Sequence, residues 1–366
     1  MKIAVVTLHR VYNYGSVLQA YATQKVFEKR GHSIQIVDYI TPQRTKWKLF
    51  WGNGVDNQGG IAYRLAKIGS FILKEKTFGR FVRTKLNLTK KYITADDLAK
   101  DPPNADVYVT GSDQTWNSQY NEGIDKGFFL DFLSEDARRI SFVASFGKTR
   151  LDENEKEETK RLLARYENIS VREDSAVQIV VDLGLKEPVQ LIDPTLMLEK
   201  SEWVQIASPR LIKEPYLILM LLYNEDNHAT EYARKIGDEK GLKLVKISWE
   251  MKKPLMVDQL FTHRSPEDFL SLFYYADFVV TNSFHGLAFS LNLEKQFIVV
   301  PRNEFNSRIE SLLNIVGLNS KLVNSCENAM LESKNIIDYV VVNKYIENER
   351  KKAVYYIDRM EDYKNE

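Results

Sequence analysis

A histidine stands at position 285, where the apolar, β-branched run ADFVV gives way to a helical pattern, in the stretch TNSFHGLAFS (281–290). A helix that starts just past a strand presents unpaired N–H groups and the positive end of its dipole. His285 in that place can touch an anionic ligand and pass a proton to it or take one from it. The same ring could instead serve the turn by bonding a nearby carbonyl. Its position at a strand's carboxyl end favours chemistry. Ser283 and Gly286 flank it and share the turn.

Three other stretches carry polar groups at strand ends. In VTGSDQTWNSQYN (109–121), Gly111 permits close backbone approach. Ser112, Asp113, Gln114 and Asn117 offer donors and acceptors suited to sugar hydroxyls or an anion, and Trp116 offers an apolar platform for a sugar ring. A helix N-cap at Ser112 or Asp113 is an equally good local use. In RVYNYGSVLQAYA (10–22), Asn13, Gly15 and Ser16 can line a ligand at a helix start. As a nucleotide signature that loop fails, having one glycine and no P-loop lysine. In SVREDSA (170–176), Arg172 can hold phosphate or carboxylate in a bidentate pair, or form an ion pair with Glu173 or Asp174. No GxSxG, HExxH, CxxC or Walker motif occurs, and no metal-ligand spacing, so no metal or cofactor is expected.

The elements that position these residues alternate. KIAVVTL (2–8), SIQIVDY (33–39), DVYVTGS (106–112), RISFVASFG (139–147), NISVRE (168–173) and VQLIDPTL (189–196) read as strands, with helical patterns at 16–31, 152–166 and 174–184. A second series runs through YLILMLLY, LKLVKISW, DFVVTNS and QFIVVP, with helices at 226–240, 266–276, 286–293 and 306–316. Such alternation predicts an α/β protein of two Rossmann-like, doubly wound domains with a cleft between them. The expected limits are 1–205, 206–340 and a helical tail at 341–366.

Residues 40–100 break the rhythm, with 13 Lys or Arg against 4 Asp or Glu and interleaved aromatics. They read as a helical insertion, either plainly solvated or lying on an anionic membrane surface. The whole chain, 366 residues with a formal net charge of +1, lacks the basic field of a nucleic-acid binder. Cys326 is the only cysteine, which excludes an intrachain disulfide and fits a reducing compartment. The apolar run at 216–223 is too short to span a bilayer, and the N-terminus reads as a strand, so a cytoplasmic protein is expected.

Taken in order, NYGSVLQAYA, GSDQTWN with ASFG at 144–147, VRED followed by DPTL at 193–196, and NSFHG resemble the polysaccharide pyruvyl transferase family. The resemblance implies a GT-B-like pair of domains binding phosphoenolpyruvate. It implies transfer of the pyruvyl group onto two hydroxyls of a sugar, as a cyclic ketal, in capsule, exopolysaccharide or cell-wall polymer synthesis on a lipid-linked acceptor at the inner face of the membrane. It implies that His285 is the acid–base group, that Arg172 holds the donor's anions and that Asp113 orients or deprotonates a hydroxyl. Many members carry an arginine two residues before the histidine, where this chain has Ser283. By position, Arg302, Arg308 or Lys148 would supply that cation. The alternatives are a GT-B glycosyltransferase using a nucleotide sugar and a non-catalytic sugar-binding scaffold.

Overall fold

The computed structural model describes residues 1–41, 69–222, 228–248, 253–302 and 306–362. They form two units, one of residues 1–194 with 355–366 and one of residues 195–354. The division thus falls at Pro194/Thr195 rather than at 205/206, and the end of the chain returns to the first unit.

The first unit is built on β1 (Lys2–Val6), β2 (Ser33–Tyr39), β3 (Leu88–Tyr92), β4 (Val107–Thr110) and β5 (Arg139–Ser141). They form one parallel sheet in the order β3-β2-β1-β4-β5. Strands buried on both faces need continuous apolar runs, which is why β1 reads KIAVV and β4 reads VYVT. Helix α1 (Tyr14–Lys29) follows β1; α2 (Glu153–Leu163) and α3 (Asp174–Asp182) come after β5. The short strands β6 (Ser170–Val171) and β7 (Val189–Gln190) pair with each other, and single bridges from Ile140 to Asn168 and from Ala144 to Val171 tie them to the sheet.

The second unit repeats the plan. Strands β8 (Tyr216–Met220), β9 (Lys243–Ser248), β10 (Gln259–Thr262), β11 (Phe278–Thr281) and β12 (Gln296–Val299) run parallel in the order β10-β9-β8-β11-β12. Its helices include α4 (Ala229–Lys240), α5 (Pro266–Tyr275), α6 (Phe284–Asn292), α7 (Ser307–Val316) and α8 (Cys326–Lys334), and α9 (Tyr339–Asp362) begins in it and ends in the first unit. Helix α5 starts as its sequence dictates, with Ser265 accepting from Asp268 N–H and Pro266 in the first turn. In both sheets the strand order reverses between the first and fourth strands, β1/β4 and β8/β11. Ligands of doubly wound sheets bind at such a switch point, outside the carboxyl ends.

Two strands escape a sequence reading, β3 and β10, and both lie at sheet edges. The basic span is only partly an appendage, because β3 pairs with β2 and Phe78 and Phe81 are fully buried. Phe78 packs on Tyr14 at 5.0 Å between ring centroids and Phe81 on Tyr21 at 5.8 Å. These two aromatics belong to the core, not to a lipid-facing patch. Residues 42–68 of the span lie outside the described residues. Among the described residues, no helix is long and apolar enough to cross a membrane.

Candidate functional site

In the first unit the polar residues converge on the β1/β4 switch point. Asn13 caps α1 by accepting from Gly15 N–H at 2.9 Å. One turn on, Ser16 donates to Asp113 Oδ2 at 2.6 Å, a bond from the loop after β1 to the loop after β4. Asp113 holds a left-handed backbone (φ 77°), uncommon for a residue with a side chain and frequent at functional sites.

Arg172 comes to this loop, but not as an anion ligand. Its guanidinium bonds Asp193 at 2.6 Å and Asp113 at 3.4 Å and lies 3.9 Å from Glu173. All four side chains are buried. Burial works against the charge on Arg172, yet the attraction of Asp193, Asp113 and Glu173 prevails and raises its pKa above the usual arginine value. Ser112 also donates to Asp193, at 3.1 Å. A cation enclosed by three carboxylates secures the loops and has no surplus charge for a donor phosphate. The expected role of Arg172 in anion binding is therefore corrected to one of holding Asp113 in place.

The rest of that loop is structural. Trp116 is 2% exposed, stacked on Phe129 at 5.6 Å and packed on Phe146 and Tyr166, so it offers no platform to a sugar. Asn117 caps the short helix Ser118–Asn121 and donates to Gln114 Oε1 at 2.7 Å. Gly111 is required because a Cβ there would lie 2.9 Å from both Thr7 and Val5, which is packing against β1 and not approach to a ligand. Lys148 donates to Ser118 at 2.6 Å and pairs with Asp152 and Glu155 at 3.1 Å each, so it is not the cation sought in place of an arginine at 283.

A second polar cluster was not singled out in the sequence. His9, just past β1, bonds Asp38 and the Thr7 carbonyl at 3.1 Å each, and Arg10 grips Asp38 through two bonds of 2.6 Å. Burial would raise the Asp38 carboxyl, but the bonds from His9 and Arg10 outweigh it and hold its pKa well below the usual range. Asp38 is the last residue but one of the strand run SIQIVDY, and a carboxylate near the end of an apolar strand was the available signal. Asp193 stood inside the quoted DPTL without being assigned a role.

The second unit carries a cluster of its own, at the start of α6. Ser283 caps α6 by accepting from Gly286 N–H at 3.3 Å. A Cβ on Gly286 would fall 2.3 Å from Thr281 Oγ1, so the glycine lets α6 leave β11 at once. His285 is thereby the second residue of the helix, beside the β8/β11 switch point, and 7% exposed. Its ring lies edge-on to Phe284 at 5.1 Å, and the Arg308 guanidinium sits over the same Phe284 ring at 5.7 Å. An imidazole and a guanidinium thus share one aromatic support at a helix N-terminus. Arg308, also 7% exposed, is the candidate that the structure brings to His285. Arg302 follows β12, its backbone exchanging bonds with the Asn306 side chain at 2.9 and 2.7 Å. His263, which sequence reasoning missed, lies past β10 at the far edge of the sheet, with φ 51°. Among the described residues, no three His, Cys, Asp or Glu are placed to hold a metal ion.

The sequence profile of the polysaccharide pyruvyl transferases matches residues 13–304. No curated protein matches the chain. Among solved structures, a Listeria monocytogenes chain assigned as a UDP-N-acetylglucosamine 2-epimerase superposes with a TM-score of 0.54 at 12% identity, over 100% of this chain and 96% of that one. S. aureus MnaA with UDP gives 0.54 at 11% identity, over 100% and 97%. The Methanocaldococcus jannaschii UDP-GlcNAc 2-epimerase bound to UDP-GlcNAc and UDP gives 0.52 at 14%, over 92% and 93%. At such identities the likeness establishes the fold class alone, the GT-B class of two Rossmann-like domains.

Proposed function

Because the chain belongs to the polysaccharide pyruvyl transferases, a family of enzymes, we propose that it moves the pyruvyl group of phosphoenolpyruvate onto two hydroxyls of a sugar. The observation that carries this reading is that His285 and Arg308 both pack on Phe284 at the N-terminus of α6. Phosphoenolpyruvate brings a phosphate and a carboxylate to one small ligand. A helix N-terminus, a guanidinium and an imidazolium match that charge.

His285, protonated, gives its proton to the vinyl carbon of the donor, creating an oxocarbenium-like centre at the adjacent carbon. One sugar hydroxyl adds there. The bond from that carbon to the phosphate oxygen breaks, and inorganic phosphate leaves with the hydroxyl's proton. The second hydroxyl then closes the ketal and returns its proton to His285, so the enzyme ends as it began. Two hydroxyl protons are spent, one on carbon and one on phosphate. Asp113 orients an acceptor hydroxyl together with Ser16. Its bonds to Ser16 and Arg172 fix the carboxylate in place, so orientation is its part. Acid–base work by a positioned side chain is worth roughly a hundred- to ten-thousandfold in rate.

The nucleotide-sugar alternative requires an acidic partner for the ribose beside His285. Glu294 lies past the opposite end of α6, paired to Lys200 at 2.5 Å and to Asn343 at 2.8 Å. We read the setting as capsular, exopolysaccharide or cell-wall polymer synthesis with a lipid-linked acceptor, a reading that membership of the family supports. Phosphorus NMR of phosphoenolpyruvate incubated with cell-wall oligosaccharides tests the reading. Wild type releases inorganic phosphate and His285→Ala does so about a hundredfold or more slowly. Equal rates would overturn the role of His285, and release of a nucleoside diphosphate from a nucleotide sugar would overturn the donor.

A further inference from the structure

The chemistry above leaves the outer face of α9 unused. Its buried positions are Val342, Ile346 and Ala353, followed by Tyr356, Ile357 and Met360 toward its end. On the 3.6-residue period, Val340, Val341, Lys344, Tyr345, Lys351 and Lys352 share the opposite sector, roughly 140° wide, and all are exposed. Over residues 340–352 that sector holds no carboxylate, because Glu347 and Glu349 fall on its flanks; Asp358, farther along the same side, is paired with Arg30. Solvated helix faces ordinarily mix both signs of charge. This one alternates cations with aliphatic groups and a tyrosine, and Ile336, just ahead of the helix, is 73% exposed.

A surface cavity of about 490 Å³ opens along the edge of the same face, bounded in part by Lys200, Asn343, Lys344, Arg350 and Lys351. The charge of Glu294 in that cavity is matched by Lys200. Arg350 donates to the carbonyls of Leu196 and Leu198 at 2.8 and 3.0 Å and lies 3.8 Å from Glu347. Lys344 and Lys351, seven residues apart and hence on the same side, remain as surplus positive charge at the rim.

We infer that this face of α9 seats the protein on an anionic lipid bilayer. Ile336, Val340 and Val341 enter the boundary of the acyl chains and Tyr345 lies at headgroup level, while Lys344 and Lys351 meet lipid phosphates, one of which enters the cavity. The occupant is argued from charge and amphipathic pattern together: a protein partner would need its own acidic patch, whereas a bilayer surface supplies both the negative charge and the apolar layer. The inference stands whichever donor the enzyme uses.

Co-sedimentation of the full chain with vesicles tests it. Wild type binds phosphatidylglycerol–phosphatidylcholine vesicles and leaves pure phosphatidylcholine vesicles in solution. The double variant Lys344→Glu with Lys351→Glu binds about tenfold or more weakly, as two lost cations near a charged surface imply. Val340→Ser with Val341→Ser also weakens binding but keeps its dependence on salt. Lys186→Glu, an exposed lysine elsewhere, leaves binding unchanged. Circular dichroism identifies any variant that fails to fold. Equal binding to both kinds of vesicle overturns the inference. So does full binding by the double lysine variant, which would assign the contact to another segment. Dimerisation of wild type that the same variants abolish would assign the face to a second copy of the chain.

Discussion

Arg172 lies among Asp113, Glu173 and Asp193, and its removal leaves three buried carboxylates without their cation. Breaking a buried pair on one side costs roughly 3–5 kcal/mol. Arg172→Met therefore unfolds at markedly lower denaturant, and adding Asp193→Leu recovers part of the loss, because the two sites are coupled. An unchanged unfolding midpoint for the single variant would contradict the network. The sequence marked Arg172, Asp113 and His285 as residues at strand ends, which the alternating pattern locates well. It could not distinguish a guanidinium aimed at a ligand from one enclosed by acids, because Asp193 is 21 residues away in the chain. Trp116 shows the same limit: its type suits a sugar platform, and only packing on Phe129, Phe146 and Tyr166 reveals a core residue.

At the scale of elements, the passage from β11 into α6 depends on the contact between Gly286 and Thr281. A methyl added at 286 would sit 2.3 Å from Thr281 Oγ1, and that oxygen is held by donating to the Met220 carbonyl at 2.7 Å. Gly286→Ala should cost roughly 1–3 kcal/mol as overpacking and move His285 off its line. Thr281→Ala in the same chain should restore part of both, read as unfolding midpoint and as phosphate release. The absence of any recovery would mean that the clash is not the cause. Central strands and their helices were legible here because burial on both faces leaves long apolar runs. Two of the four edge strands were not: β3 reads LTKKY and β10 reads QLFT. An edge strand has one unpaired side and tolerates lysines, so its pattern blends into a loop or a charged insertion. Phe78 and Phe81 were misplaced for the same reason, since the basic residues around them hide a stretch that packs on α1.

At the scale of the whole molecule, buried Asp38 and half-buried Lys295 each contribute to how stability follows pH. The Asp38 pKa is lowered from its ordinary 3.8, so its contribution is complete above that value and is lost as pH falls below it. Asp38→Asn should be less stable than wild type at neutral pH, and the difference should shrink on acidification. Lys295 behaves in the opposite sense. Burial, aided by repulsion from Lys200, lowers it from 10.5 to about 8. Between those values the unfolded chain holds a proton that the folded chain has released, so this residue makes stability rise with pH across that window. Below it both states are charged and the cost of burial is constant. Denaturation of Lys295→Met should show a flatter dependence than wild type between pH 8 and 10.5; parallel curves would refute the assignment.

Two tandem doubly wound units were readable from the alternation of elements, and the family from six short motifs spread over the chain. The packing of His285 and Arg308 on one ring was not, because it needs α7 folded against the start of α6. That arrangement is the centre of the account, and calorimetric titration with phosphoenolpyruvate tests it most directly. The account predicts binding by wild type and a loss of about tenfold or more in affinity for Arg308→Gln, since a charge-assisted bond to an anion contributes roughly 1.5–3 kcal/mol. Equal affinity in the variant, or heat from UDP-GlcNAc and none from phosphoenolpyruvate, would contradict it.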